Sequence, residues 1–564
     1  MEKEDWWRDA VVYQVYPVSF QDTTGNGRGD LNGITSRLQY LKDLGVNVVW
    51  LSPIYASPMV DMGYDISDYR AIHTEFGVME DWERLVDEAH KLGLKIVMDL
   101  VVNHTSDQHE WFKNAQSGGN KKDWYVWRDK NPEGKEPNNW GAIFGGSCWE
   151  WNEQLQQYYL HVFDVSQPDL NWQNPEVREA VWDVMRFWLD KGCDGFRMDV
   201  INCISKTPGF PDAPVADPKS AFQYGLVHRF NGPKVAEYLH EMHHRVLKHY
   251  PGTFTVGEAP GIKNAEQALP LIQNGTPLQM LFHFEHMYID HQPGQQCFNY
   301  RPWKLTELKD ILGNFMEFNQ NHNGWDSLYL ENHDQPRITS RWGSDTTYRE
   351  ASAKMLALFH ATGRGTLFVY QGQEIGMVNP PSWTFDELRD LEEIEYYNGV
   401  NERNGDLNDA LRQIQRIGRD NSRTPMQWSA DVNAGFTTGS PWIKVNTDYF
   451  EWNVAAQLEN ESTSVLGFWK KLLSIRKMHP GLVRGKFQMI DYENQSVYAY
   501  TRTDEVAQYL VVCSFSDKEI TWVCPVQTGS LLLANYPDGD RQELDGMKLK
   551  PYEGRLYIYA KNQH

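Results

Sequence analysis

The residues with the most chemical potential lie in Cys193-Asp194-Gly195-Phe196-Arg197-Met198-Asp199-Val200. Gly195 to Val200 reads as a short strand, and Arg197 and Asp199, two positions apart, share one of its faces. A cation and an acid on one face of an otherwise apolar strand are costly to bury unless they pair and meet a ligand. An Arg/Asp pair that only fixes a loop is the plainer alternative. Similar polar ends recur, however. Asp61 and Tyr64 follow a second apolar strand, and Asn103 and His104 a third. Glu258 closes Phe254-Thr255-Val256-Gly257-Glu258, and His333 and Asp334 follow Ser327-Leu328-Tyr329-Leu330-Glu331.

Gathered at one mouth, these positions supply four carboxylates, two histidines and an arginine. No Ser/His/Asp order, phosphate-binding loop, dinucleotide fingerprint or zinc spacing competes with them. What remains is paired-carboxylate chemistry, whose most familiar use is cleavage of a glycosidic bond. One acid attacks the anomeric carbon while the other protonates the leaving oxygen. The protonating acid must hold its proton near neutral pH, so Glu258 should be raised by desolvation or nearby negative charge. Arg197 beside Asp199 should do the opposite and keep the nucleophile ionised.

The elements that must position these residues alternate along the chain. Strands are predicted at Val11 to Tyr16, Val46 to Leu51, Ile96 to Leu100, Gly195 to Val200, Phe254 to Glu258, Met280 to Phe284, Ser327 to Glu331 and Leu367 to Tyr370. Helical patterns separate them, among them Ile34 to Leu44, Trp82 to Leu92 and Pro175 to Lys191. Eight strands with intervening helices predict an α/β fold, a (β/α)8 TIM barrel with the active site at the carboxyl ends of its strands. After His104 the alternation stops for a stretch rich in Asn, Gly and Trp, too long for a plain connection, which predicts an inserted lobe after the third strand. Ser464 to Lys477 reads as the last helix, and beyond Pro480 short alternating strands predict a C-terminal antiparallel β-sandwich. The expected division is a barrel over 1–104 and 173–480, the lobe over 105–172 and the β-domain over 481–564.

With 41% hydrophobic and 23% charged residues over 564 positions, the chain has the composition of a globular protein with large cores. A net charge of −22 excludes nucleic acid and anionic membrane surfaces as natural partners. The acidic N-terminus lacks an apolar leader, no run of about 18 apolar residues follows, and the six cysteines have neither disulfide nor metal-ligand spacing. A cytoplasmic protein working as a monomer or weak oligomer on a small oligosaccharide is expected, with no organic cofactor. The 22 Trp, 28 Tyr and 24 Phe suit sugar faces, although most serve as core.

Asp99-Leu100-Val101-Val102-Asn103-His104, Gly195-Phe196-Arg197-Met198-Asp199, Val256-Gly257-Glu258 and Glu331-Asn332-His333-Asp334 resemble the four sequence blocks of the α-amylase superfamily, glycoside hydrolase family 13. Gln167-Pro168-Asp169-Leu170-Asn171 resembles a fifth block, which marks its oligo-1,6-glucosidase and neopullulanase groups. The similarity runs over essentially the whole chain, includes Arg419-Asp420-Asn421-Ser422-Arg423-Thr424-Pro425-Met426-Gln427-Trp428, and is greatest to the oligo-1,6-glucosidase and dextran glucosidase branch. The resemblance implies Asp199 as nucleophile, Glu258 as acid/base and Asp334 as transition-state stabiliser. It implies a glucose pocket of Asp61, Tyr64, His104, Phe163, Arg197, His333 and Arg419, with Phe144 nearer the leaving sugar. It also implies exo-acting hydrolysis with retained anomeric configuration.

In that family valine directly after the nucleophile accompanies α-1,6 linkages, whereas threonine or alanine accompanies α-1,4. Val200-Ile201-Asn202-Cys203-Ile204-Ser205-Lys206 fits the first pattern, and ordinary strand packing is the alternative reading of Val200. Glu258-Ala259-Pro260 departs from relatives that carry methionine after the acid, which bears on substrate breadth. A broader α-glucosidase active on α-1,4 bonds or sucrose, or a sucrose isomerase or transglucosylase, is the competing expectation. Tyr300-Arg301-Pro302-Trp303-Lys304-Leu305 does not closely resemble the arginine-rich loop of the isomerases.

Asp22-Thr23-Thr24-Gly25-Asn26-Gly27-Arg28-Gly29-Asp30 has the alternating spacing and glycines of a calcium loop. The resemblance implies one structural Ca2+ or Mg2+ held by Asp22, Thr24, Asn26, the Arg28 carbonyl and Asp30. One carboxylate usual in relatives is missing, which weakens such a site. The alternative is a glycine-rich turn held by side-chain to backbone bonds.

Overall fold

A computed structural model describes residues 5–224, 226–272, 278–292, 297–539 and 546–560, with the backbone of 542–543. Eight buried parallel strands form the centre: β1 (Val11–Val15), β2 (Val48–Leu51), β3 (Lys95–Leu100), β4 (Gly195–Met198), β5 (Phe254–Glu258), β6 (Met280–Phe282), β7 (Ser327–Leu328) and β8 (Thr366–Tyr370). Their order is β6-β5-β4-β3-β2-β1-β8-β7, every pairing parallel. The gap between β6 and β7 is closed by side chains: Ser327 Oγ donates to Leu281 O at 2.8 Å and Tyr329 Oη to His283 O at 2.7 Å. Rings plug the middle, Phe282 meeting Phe368 at 4.7 Å and Trp50 at 5.8 Å. This is the near-closed barrel the alternation predicted.

Local departures have local causes. The helix expected over 34–44 is two, Leu31–Ser36 and Leu38–Leu44, broken at Arg37, whose guanidinium donates to Gln21 Oε1 and lies over Trp428. The sixth and seventh strands end at Phe282 and Leu328, short of Phe284 and Glu331. Past those points the chain leaves the ladder for side-chain contacts, such as the Tyr329 bond across the gap. Val200 is not in the fourth strand, which stops at Met198.

Helices cover the barrel. Met79–Lys91 buries Trp82, Leu85, Val86 and Ala89 on one stripe, and Pro175–Asp190 starts with Pro175 behind an Asn174 cap, whose side chain accepts from Glu176 N. The lobe carries a three-stranded antiparallel sheet of Trp127–Arg128, Gln157–Leu160 and Trp149–Asn152. A segment after β4 also packs on it, through backbone bonds from Gly141 to Gln223 and from Gln223 to Asn139. C-terminally, strands Lys486–Ile490, Val497–Thr503, Ala507–Ser514, Gly554–Ala560 and Ser530–Ala534 form an antiparallel sheet, faced by Ile520–Trp522, Gly546–Leu549 and Gln542–Glu543. Buried Arg502 ties it to the barrel by donating to Thr362 O, Leu482 O, Val483 O and Gly485 O. Among the described residues no helix is long and apolar enough to cross a membrane.

Candidate active site

The register of β3 with β4 sets Asp99 beside Arg197, and β5 flanks β4 on its other side. Gly195 permits that approach, because a Cβ there would stand 2.2 Å from the Phe254 carbonyl oxygen. Arg197, 1% exposed, then becomes a shared donor. Its Nη1 donates to Asp99 Oδ1 at 2.8 Å and to Asp199 Oδ1 at 2.7 Å, and its Nη2 lies 2.6 Å from Glu258 Oε2. Three buried carboxylates divide one guanidinium.

From Asp99 the network continues to the third expected acid. Asp99 Oδ2 accepts from the Tyr64 hydroxyl at 3.0 Å and the Trp50 indole at 3.3 Å. The Tyr64 hydroxyl lies 2.6 Å from His333 Nε2, and the two rings stack with centroids 5.2 Å apart. Gln14 Nε2 donates to His333 Nδ1 at 2.8 Å, so the neutral ring carries its proton on Nε2, 3.0 Å from Asp334 Oδ2. Arg419 Nη1 and Arg423 Nη2 approach Asp334 Oδ1 at 3.2 and 3.0 Å, and both side chains also hold Asp390 Oδ2, at 2.7 and 2.8 Å.

The remaining expected residues join the same network. Asp61 Oδ1 lies 3.6 Å from Arg419 Nη2, and Asp61 Oδ2 accepts from Gln167 Nε2 at 3.0 Å. The same Gln167 nitrogen is 3.3 Å from His104 Nε2. Phe163 packs on His104 and Phe144 with centroids 5.1 and 6.1 Å apart, and Arg419 lies over the Phe144 ring. Asp61, Tyr64, His104, Phe144, Phe163, Arg197, Asp199, Glu258, His333, Asp334 and Arg419 are thereby brought into one contiguous set.

Val200 sits at φ 33, ψ 43, a left-handed conformation strained for a β-branched residue. The strand has to stop here so that the chain can enter the turn Ile201–Cys203. The bend directs the Val200 N–H to Glu258 Oε2 at 3.0 Å and places its side chain in an apolar cluster with Val126, Trp149 and Val162.

Burial sets the electrostatics. It pushes Asp199 and Glu258 each up to about 7, and Asp99 up to about 6, against the pull of Arg197. Arg197 lowers Asp199 as expected, but one cation cannot compensate three desolvated acids in full, so the net shift is upward. Arg197 pulls both acids down, and a contribution from Glu258 lowers Asp199 further. Asp334 differs. Burial works against its charge, but His333, Arg419 and Arg423 outweigh that and hold it well below the ordinary carboxylate value. Burial also raises Asp61 to about 7 and lowers His104 to about 4.

Several members of this network were not singled out as site residues from sequence. Asp99, Gln167 and Arg423 lie inside the quoted blocks, where their polarity on buried segments was a usable signal. Gln14 and Trp50 belong to β1 and β2 and resemble ordinary strand residues, and Asp390 lies in a region with no motif.

The loop from Asp22 to Asp30 does not fit a cation. Asp22 Oδ1 accepts from Thr24 N, Gly25 N and Thr24 Oγ1, and Asp22 Oδ2 from Gly27 N and Thr437 Oγ1, all within 3.0 Å. Asp30 accepts from Thr23 N and Gly33 N at 2.7 Å, and Asn26 Oδ1 from Arg28 N at 2.8 Å. A carboxylate offers about four lone-pair directions, and the donors around Asp22 use them all. Arg28 turns instead to Glu75, 3.4 Å away. The donor set suits a turn fastened by its own N–H groups, and among the described residues no group of three or more His, Cys, Asp or Glu is arranged for a metal.

Comparison with known proteins follows the same lines. The model of the α-amylase catalytic domain matches residues 14–485. An oligo-1,6-glucosidase of Parageobacillus thermoglucosidasius is 48% identical over 561 residues, covering 98% of both chains. The crystal structure of a trehalose-6-phosphate hydrolase from Bacillus licheniformis superposes with a TM-score of 0.93 at 42% identity, over 99% of this chain and all of that one. That of an isomaltulose synthase from Protaminobacter rubrum gives 0.92 at 38% identity, over 98% and 99%. With an eight-stranded barrel, acids gathered at its strand ends, and a family model spanning most of its length, the chain belongs to the α-amylase family, glycoside hydrolase family 13.

Proposed function

We propose that the chain is a retaining, exo-acting α-glucosidase that hydrolyses α-1,6 bonds at the non-reducing ends of isomalto-oligosaccharides, panose and similar short sugars. The observation that carries this reading is the pair of acids on one guanidinium, Asp199 at Nη1 and Glu258 at Nη2. Holding both acids on one small planar group favours the separation of ~5–5.5 Å used in retention over the ~6.5–9.5 Å needed to admit a water for inversion.

In this proposal Asp199 attacks the anomeric carbon while Glu258 passes its proton to the leaving oxygen, giving a covalent glucosyl-enzyme. Glu258, now ionised, takes a proton from water, which displaces Asp199 and restores the starting configuration. Asp334, ionised throughout, faces the developing positive charge on the sugar ring. Asp61, His104, Arg197, His333 and Arg419 would fix the terminal glucose by its hydroxyls, with Tyr64 and Phe163 lining its pocket and Phe144 toward the leaving sugar. The α-1,6 preference rests on Val200, whose branched side chain narrows the entrance for the aglycone, and is supported by the oligo-1,6-glucosidase named above. A cytoplasmic location and a monomeric or weakly associated state belong to the proposal too, the first supported by six unpaired thiols.

The isomaltulose synthase likeness favours sucrose isomerisation as a second reading. Initial rates on isomaltose, panose, maltose, sucrose, trehalose and trehalose 6-phosphate, with product analysis on sucrose, separate the candidates. Glucose released fastest from isomaltose or panose is the expected result. Isomaltulose from sucrose, or a preference for trehalose 6-phosphate, would displace the proposal.

A further inference from the structure

A second cavity, about 540 Å³ in volume, lies between the lobe and the barrel. It falls within the roughly 300–1,000 Å³ of small-molecule sites, and none of the residues of the acidic network lines it. Its walls come from the lobe through Trp127 and Gln157, from the chain after β4 through Lys206 and Phe210, and from the helix Val235–Arg245 through Tyr238.

Two polar atoms of these walls have no partner. Tyr238 is 2% exposed and its hydroxyl makes no hydrogen bond, and Gln157 Oε1 is likewise buried and unpaired. A buried polar group without a partner costs about 1–3 kcal/mol, so two in one cavity point to a ligand that completes them. The buried cation of the wall is already neutralised: Lys206 Nζ lies 2.5 Å from Asp169 Oδ2 and donates to Asn103 Oδ1 at 2.8 Å. Asp123 and Arg128 line the cavity at exposed positions, Arg128 lying over one face of the Phe210 ring and donating to Trp127 O, so the buried wall is left with rings, an amide and a hydroxyl, the surfaces that suit the C–H faces and hydroxyls of a neutral sugar. Lys122 is half-buried and Lys234 exposed.

We propose that this cavity is a second, non-catalytic binding site for a neutral mono- or oligosaccharide, its hydroxyls received by Tyr238 and Gln157 beside the Trp127 and Phe210 rings. The site borders the acidic network, since Asn103, held by Lys206, lies 3.3 Å from His104 through its amide nitrogen. The ligand class rests on membership of a carbohydrate-active family and not on the α-1,6 assignment.

The test is calorimetric titration of the Asp199→Asn protein, which binds without turnover, with isomaltose. Two sites per chain are expected. Adding Tyr238→Phe should weaken one of them by about tenfold, the value of one hydrogen bond, and leave the other unchanged. The thermal midpoint should not fall, because the variant removes an unpaired hydroxyl. Gln157→Leu should weaken the same site, and its affinity should not change between low and high salt. Binding at one site that Tyr238→Phe does not touch, equal weakening of both, or strong salt dependence would overturn the proposal. If the α-1,6 reading alone were wrong, the site insensitive to Tyr238→Phe would be missing while the sensitive one stayed.

Discussion

Replacing Asp99 by asparagine keeps the side chain's shape and removes one of the three charges that divide Arg197. Asp99 and Asp199 accept from the same nitrogen at 2.8 and 2.7 Å, so those oxygens lie at most about 5.5 Å apart. At an effective dielectric constant of about 20, two charges at that separation repel by about 3 kcal/mol, and relaxation of the site reduces this to roughly 1–2 kcal/mol, about one pKa unit. The sign follows from the charge. A negative neighbour raises an acid, so its removal lowers Asp199 and Glu258 together, and more of the guanidinium becomes available to both. In Asp99→Asn the pH profile of kcat/KM on isomaltose should therefore move about one unit to the acid side in both limbs. Activity near neutral pH should fall, because Glu258 then loses the proton it must deliver. The single amide oxygen cannot accept from Arg197 and also from Trp50 and Tyr64, which the two oxygens of Asp99 divide between them, so a stability loss of about 1–2 kcal/mol should accompany the shift. A profile unmoved in both limbs, or moved to alkaline pH, would refute the account of three acids raised by burial under a divided arginine.

Three further outcomes are expected. Val200→Thr should raise maltose hydrolysis relative to isomaltose if, as proposed, the Val200 side chain shapes the aglycone entrance, since a hydroxyl and a methyl replace its two methyls; an unchanged ratio of initial rates would discard Val200 as the linkage determinant. Asp61 is raised by burial to about 7 in the fold, so its contribution to stability is full below its ordinary value near 4 and is lost as pH rises through about 7. Asp61→Asn cannot ionise and should gain stability on the wild type across that window, by up to about 2–4 kcal/mol, while losing activity; melting temperatures from acid to mildly alkaline pH check it. A chelator should leave both melting temperature and isomaltose hydrolysis unchanged. Asp22→Ala should lower the melting temperature by removing the acceptor of three backbone N–H groups, a loss of about 2–4 kcal/mol.

The loop from Asp22 shows where reading the chain stops. Its spacing is compatible with a cation or with a self-fastened turn, because both need short oxygen side chains between glycines. Only the position of Thr437, more than 400 residues away in sequence, and the direction of the local N–H groups decide which lone pairs are already used. Val200 is a similar case: its type reads as strand, whereas the chain turns left-handed there with its N–H directed to Glu258 on the neighbouring strand.

The sequence by itself determined the eight-strand alternation and the residues at the strand ends, since hydrophobic period and the cost of burying charge are local properties carried by residue type. It also determined the family, through blocks whose order along the chain is itself information. The tertiary structure decided how those residues interact: that Asp99, Asp199 and Glu258 divide one arginine, that Asp390 and Arg423 brace Asp334, and that burial outweighs Arg197 at Asp199. Charge coupling and desolvation depend on distances between segments far apart in sequence, and no local pattern encodes those distances.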